Sequence, residues 1–93
     1  MKDGEYIEYY DSGEIYYRCF YLGGERHGES IYYYISGEIG TKCNFIGGKL
    51  HGESISYDYG EIFYKSYYLN DIEITEFEWI SYNRNKKLEL LGL

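Results

Sequence analysis

Residues 28–55 read GESIYYYISGEIGTKCNFIGGKLHGESI, and the four letters that open the stretch also close it. With the chain laid on itself at a shift of 24, Gly4-Glu5, Gly28-Glu29 and Gly52-Glu53 open three successive units, and Ile7, Ile31 and Ile55 fall at one place inside them. Gly13-Glu14-Ile15, Gly37-Glu38-Ile39 and Gly60-Glu61-Ile62 follow, then a cation at Arg18, Lys42 and Lys65 and an aromatic at Tyr21, Phe45 and Tyr68. Self-similarity at a fixed short period is the signature of a repeat array, in which each unit packs on its neighbours rather than around a deep core.

Each unit reads as a β-hairpin. Segments 5–10, 14–21, 29–35, 38–46, 53–57 and 61–69 are rich in Tyr, Ile, Phe and Thr and are bounded by glycine and polar turns. Asp11-Ser12-Gly13 and Ile35-Ser36-Gly37 fit three-residue loops with glycine in the left-handed region, which pairs Tyr9 with Ile15 and Tyr33 with Ile39. The third unit is one residue shorter, and a two-residue Tyr59-Gly60 loop pairs Tyr57 with Ile62. Strict alternation from these pairs puts Ile7, Ile31 and Ile55 on one better buried face with Tyr17, Cys19, Cys43, Phe45, Ser66 and Tyr68. The expected fold is all-β, an elongated antiparallel sheet of tandem hairpins with about 6–8 strands. One domain over 1–93 is expected, with units at 4–27, 28–51 and 52–73. Residues 74–93 are a degenerate fourth unit or a cap, either as a last hairpin carrying Phe77 and Trp79 on one face or as a short helix over 86–91.

Composition agrees with a thin structure. The 93 residues include no proline and 15 tyrosines, the aromatic best able to sit half in water. The start, MKDGEYIEYYD, has no apolar run behind its lysine, and no apolar stretch reaches membrane-spanning length, so neither a signal peptide nor a membrane span is expected. Two cysteines make no disulfide framework, and a cytoplasmic, reduced setting follows as the default.

The unit GESIYYYISGEIGTKCNFIGGKLHG, with its links Gly24-Glu25-Arg26-His27-Gly28 and Gly48-Lys49-Leu50-His51-Gly52, resembles the MORN repeat in its bacterial variant form. The likeness covers residues 4–73, and the third link, Leu69-Asn70-Asp71-Ile72-Glu73-Ile74, departs from it by lacking the His-Gly. What the resemblance implies is an elongated hairpin sheet. Proteins of this variant repeat include antitoxins of the YwqK type that neutralise a cognate toxin by binding it, while other MORN proteins tether partners or touch acidic lipids.

Little in the chain calls for chemistry. Cys19 and Cys43 occupy equivalent places two strands apart, about 9–10 Å, beyond the roughly 7 Å a disulfide tolerates, and Ser66 stands at the third such place. His27 and His51 lack partners spaced for zinc, so no metal or other cofactor is expected. The carboxylates Glu5, Glu29 and Glu53, and Glu14, Glu38 and Glu61, recur as ladders of equivalents, whereas acid–base catalysis needs two groups in different environments at one site. No enzyme is expected.

Charge narrows the partner. Residues 1–73 hold 6 Lys and Arg against 13 Asp and Glu, a net −7, while 74–93 hold 3 of each. Such an array repels nucleic acid and acidic lipid and attracts a basic protein. Positions that vary between units are those the scaffold leaves open. The expected protein-binding surface is therefore Tyr10, Tyr16, Arg18, Phe20, Tyr32, Tyr34, Lys42, Phe63, Lys65 and Tyr67, taking a protein partner such as a cognate toxin. On that expectation Tyr32→Ala and Tyr34→Ala weaken binding by about 1–3 kcal/mol and leave melting unchanged. Two alternatives stand beside it: a scaffold self-associating through edge strands or the tail, as in a homodimer, and a membrane-associated MORN module.

Overall fold

The turns decide the architecture. Gly13 and Gly37 sit at φ 96° and 94°, and the Tyr10 and Tyr34 amides each donate 2.8 Å bonds across their loops to the carbonyls of Glu14 and Glu38. Tyr59 and Gly60, at φ 52° and 79°, form the shorter third loop, so the missing residue is absorbed where the sequence places it. The computed structural model describes residues 3–93, and Met1 and Lys2 lie outside them. Along the chain run β1 (Gly4–Tyr9), β2 (Ile15–Leu22), β3 (Glu25–Arg26), β4 (Gly28–Tyr33), β5 (Ile39–Ile46), β6 (Lys49–Leu50), β7 (Gly52–Asp58), β8 (Glu61–Leu69), β9 (Ile72–Ile74) and α1 (Glu76–Leu90).

One antiparallel sheet results, in the order β1-β2-β4-β5-β7-β8-β9, with β3 on β2 and β6 on β5. Sheet and helix together measure 52 × 35 × 21 Å, and the 15.4 Å radius of gyration exceeds the roughly 12 Å of a compact chain this long. The links between hairpins are themselves two-residue turns. Gly23-Gly24 and Gly47-Gly48 all have positive φ, and in the third link Asn70 and Asp71 take the same conformation at 50° and 70°. Asn and Asp tolerate that region best after glycine, which is how the divergent link keeps its shape.

The register corrects the expected faces. Tyr9 does pair with Ile15, but the next pair is Glu8 with Tyr17, leaving Tyr16 as the extra residue of a β-bulge. The same irregularity recurs in the other hairpins, at Gly40 and at Phe63. Beyond each bulge the alternation reverses, so Ile7 pairs with Arg18, Ile31 with Lys42 and Ile55 with Lys65. The isoleucines and the cysteines therefore lie on opposite faces.

On the first face runs the row Ile7-Arg18-Ile31-Lys42-Ile55-Lys65, isoleucine alternating with cation across six strands. The register sets each isoleucine beside cations whose alkyl stems can cover apolar surface, and Ile31 and Ile55 are buried. On the second face Cys19, Ser30, Cys43 and Ser66 form a buried small-residue trough. Tyr17 and Tyr32 stand on one side of it, and Phe45 with Arg26, whose guanidinium lies 4.2 Å from the ring centre, on the other. Both thiols are free.

The tail is a helix, not a last hairpin, and it starts ten residues earlier than the helix that the sequence suggests. Thr75 Oγ1 accepts from the Glu78 amide at 3.1 Å and Glu78 returns a carboxylate to the Thr75 amide at 3.0 Å, a reciprocal cap that Thr-x-x-Glu encodes. Those bonds hold the Glu78 carboxyl below its usual pKa. Trp79 then stacks on Tyr67 and Tyr82 and lies edge-on to His51, while Phe77 points to solvent at 73% exposure. The indole lies against Gly52, 3.4 Å from where a Cβ would stand. α1 thus covers the isoleucine face at the β8 end and stops the array there.

Candidate functional site

Comparing the hairpins position by position locates a gap. Between the first two units the aromatic face is filled: Tyr16 meets Tyr10 at 5.1 Å and Tyr32 at 5.9 Å between ring centres, and Tyr17 lies 4.3 Å from Tyr32. One repeat on, the residues equivalent to Tyr16, Tyr17 and Tyr32 are Gly40, Thr41 and Ser56. Three rings have become a hydrogen atom, a methyl-bearing alcohol and a hydroxymethyl. The result is a cleft of about 300 Å³ lined by Tyr34, Gly40, Thr41, Ser56, Tyr57, Asp58 and Phe63.

The cleft is built rather than accidental. Tyr34 lies against Gly40, its ring 3.4 Å from where a Cβ would stand, and its hydroxyl donates a 2.6 Å bond to the Tyr57 carbonyl. The wall is therefore pinned across two units. Thr41 Oγ1 and Ser56 Oγ lie 3.4 Å apart on the floor. Phe63, the bulge residue of the third hairpin, is 75% exposed and also lines the cleft. A second hollow of about 320 Å³, lined by Tyr34, Ser36, Glu38, Asp58 and Tyr59, shares Tyr34 and Asp58 with the first.

Electrostatics at this end is one-sided. The three hairpin tips carry Asp11, Glu14, Glu38, Asp58 and Glu61 and no Lys or Arg, and all five carboxylates are exposed. Among the described residues no cluster of three or more His, Cys, Asp or Glu could hold a metal ion. No helix among them is long and apolar enough to cross a membrane.

The bulges split the expected binding surface between the two faces. Tyr10, Tyr16, Tyr32, Tyr34 and Phe63 come together on the aromatic face, where only Tyr34 and Phe63 line the cleft between units two and three. Tyr10 and Tyr16 border a smaller hollow at the first tip, and Tyr32 is held between Tyr16 and Tyr17. Arg18, Lys42, Lys65, Phe20 and Tyr67 lie on the isoleucine face. There Arg18 and Lys65 sit 3.4 Å from Glu5 and Glu53, and the Glu53 hydrogen bond raises the Lys65 pKa. Tyr67 is buried beneath Trp79. Asp58, Glu38, Thr41 and Ser56 were not among the expected residues. The signal for the last two was the loss of ring size between equivalent positions, legible once the bulge is known.

Comparisons with family models, with curated proteins and with solved structures found no match.

Proposed function

We propose that this chain is a non-catalytic protein-binding repeat module of the antitoxin or immunity type, and that it holds a basic protein partner at the hairpin-tip end of its aromatic face. The observation that carries this is the coincidence of the five exposed tip carboxylates with the exposed rings of Tyr34, Tyr59 and Phe63, in a region without a single cation. A carboxylate rim steers a basic partner in, and fixed aromatic surface supplies contact area at low entropic cost. The resemblance to the variant MORN repeat supports a tethering or neutralising role. Ladders of equivalent carboxylates on an open sheet favour binding over catalysis. A reducing, cytoplasmic setting suits the two free thiols.

Affinity capture from the native cell tests the proposal. The wild-type chain should retain a basic protein that Glu38→Lys/Asp58→Lys/Glu61→Lys, with an unaltered melting temperature, fails to retain. Equal capture by both would remove the tips from the function.

One observation favours a second role. Phe77, Ile80 and Leu88 of α1 and Leu91 at its C-cap are exposed, and exposed apolar side chains are what self-association through the tail would use. Sedimentation equilibrium of wild type against Ile80→Glu/Leu88→Glu separates it from the first: a dimer lost in the variant promotes the scaffold role, and a monomer in both discards it.

A further inference from the structure

The cleft between the second and third hairpins has a more definite chemistry than the tip surface around it. We propose that it is a receptor for one arginine side chain of the protein partner. This rests on the protein-binding role above and specifies what enters the site.

Three features select a guanidinium. The lining brings together two aromatic residues, Tyr34 and Phe63, one carboxylate residue, Asp58, and the bonded hydroxyls of Thr41 and Ser56. A planar cation with a fork of N–H donors can lie along an aromatic wall while donating to carboxylate and hydroxyl oxygens together. An ammonium offers no flat surface to such a wall. A neutral apolar side chain brings no donor to the Asp58 carboxylate or to the free lone pairs of the bonded Thr41 and Ser56 hydroxyls.

The chain supplies its own precedent on the same face. Arg26 lies over the Phe45 ring at 4.2 Å and its Nη1 approaches the Tyr17 hydroxyl at 3.4 Å, so a guanidinium is already held between a phenylalanine face and a hydroxyl. The tip cleft repeats that pairing of groups, with a carboxylate added and with no arginine of its own among its lining residues. The first interval of the array shows what a closed version looks like, since Tyr16, Tyr17 and Tyr32 fill the equivalent space there.

The test needs no partner. Amide chemical shifts of the full chain are followed during titration with N-acetyl-arginine methylamide, N-acetyl-lysine methylamide and N-acetyl-norleucine methylamide in separate samples. The arginine probe should saturate shifts at Gly40, Thr41, Ser56 and Phe63, with the norleucine probe at least about tenfold weaker and the lysine probe between them. Ser56→Tyr, which restores the ring found at Tyr32, should abolish the response. Asp58→Asn, a change on an exposed side chain that leaves the fold alone, should weaken the arginine probe and spare the norleucine probe. Equal affinity for the three probes, shifts located elsewhere, or an unchanged response in Asp58→Asn would overturn the proposal. A partner captured equally by wild type and Ser56→Tyr would also overturn it, while leaving the protein-binding role standing.

Discussion

The phenol of Tyr34 donates a 2.6 Å hydrogen bond to the backbone carbonyl of Tyr57, and one repeat earlier Tyr10 makes the same bond to Tyr33 at 2.7 Å. Each hairpin is thereby stitched to the next by a side chain from its own tip. In the third unit the equivalent residue is Asp58, a carboxylate that cannot donate, and among the described residues α1 rather than a fourth hairpin follows β9. Its charge is left to the cleft.

Removing a stitch should therefore loosen one interface at a time. Tyr10→Phe and Tyr34→Phe are each expected to lower the unfolding free energy by about 0.5–1.5 kcal/mol, the net value of a typical hydrogen bond. Tyr16→Phe, which leaves its ring contacts in place, should be close to neutral. Urea titrations measure all three, and a neutral Tyr34→Phe would show that the units hold together without this bond.

Gly37→Val should be worse than Cys43→Ser. Gly37 has φ 94° with almost nothing near its missing Cβ, so the cost of valine is backbone strain, roughly 1–3 kcal/mol. Cys43 lies in a row with Ser30, and Ser66 already occupies the equivalent buried place in the third unit. Comparison of unfolding free energies checks the order, and a costlier cysteine change would contradict the turn assignment.

Burial pushes the Tyr17 hydroxyl up to about 12 from an ordinary 10, with the neighbouring Cys19 adding to the shift. A raised acid keeps its proton longer in the folded chain than in the unfolded one. Its stabilising contribution is thus complete below the unfolded value and is lost as pH rises through the interval between 10 and 12. Stability of the wild type should fall across that interval more steeply than that of Tyr17→Phe. Equal slopes would mean that Tyr17 ionises as freely folded as unfolded.

Thr75→Ala should cost about 1 kcal/mol by opening the reciprocal cap of α1. Trp79 is the chain's one tryptophan and is stacked in the contact between helix and sheet, so its fluorescence reports the docking directly. Loosening should appear as a red shift at denaturant concentrations where the sheet is intact. An unchanged emission would show that the stack on Tyr67, rather than the cap, sets the helix.

Much of this fold was legible because the repeat fixes it three times over. The loops at Gly13, Gly37 and Tyr59-Gly60, the pairs Tyr9 with Ile15, Tyr33 with Ile39 and Tyr57 with Ile62, and the burial of Cys19, Cys43 and Phe45 all follow from spacing. The bulges did not. Tyr16, Gly40 and Phe63 have nothing in common as side chains, so no residue type announces the extra position, yet one uncounted residue sends Ile7 to the other face from Cys19. For the same reason Tyr32→Ala is now expected to lower the melting temperature rather than leave it unchanged. Once Tyr32 shares a face with Tyr16 and Tyr17 it is packed between them, and its loss belongs with stability. The helix start was written in Thr75-x-x-Glu78, but the alternating Phe77 and Trp79 resemble a strand as readily.

The most direct test of the proposed function is titration calorimetry of the captured partner against wild type and Asp58→Lys/Glu61→Lys, with thermal melts of both chains. Partner binding at the tips predicts an affinity that weakens as salt is raised in the wild type and is lost in the variant, with the two melting temperatures alike. Full affinity in the variant, unaffected by salt, would contradict it.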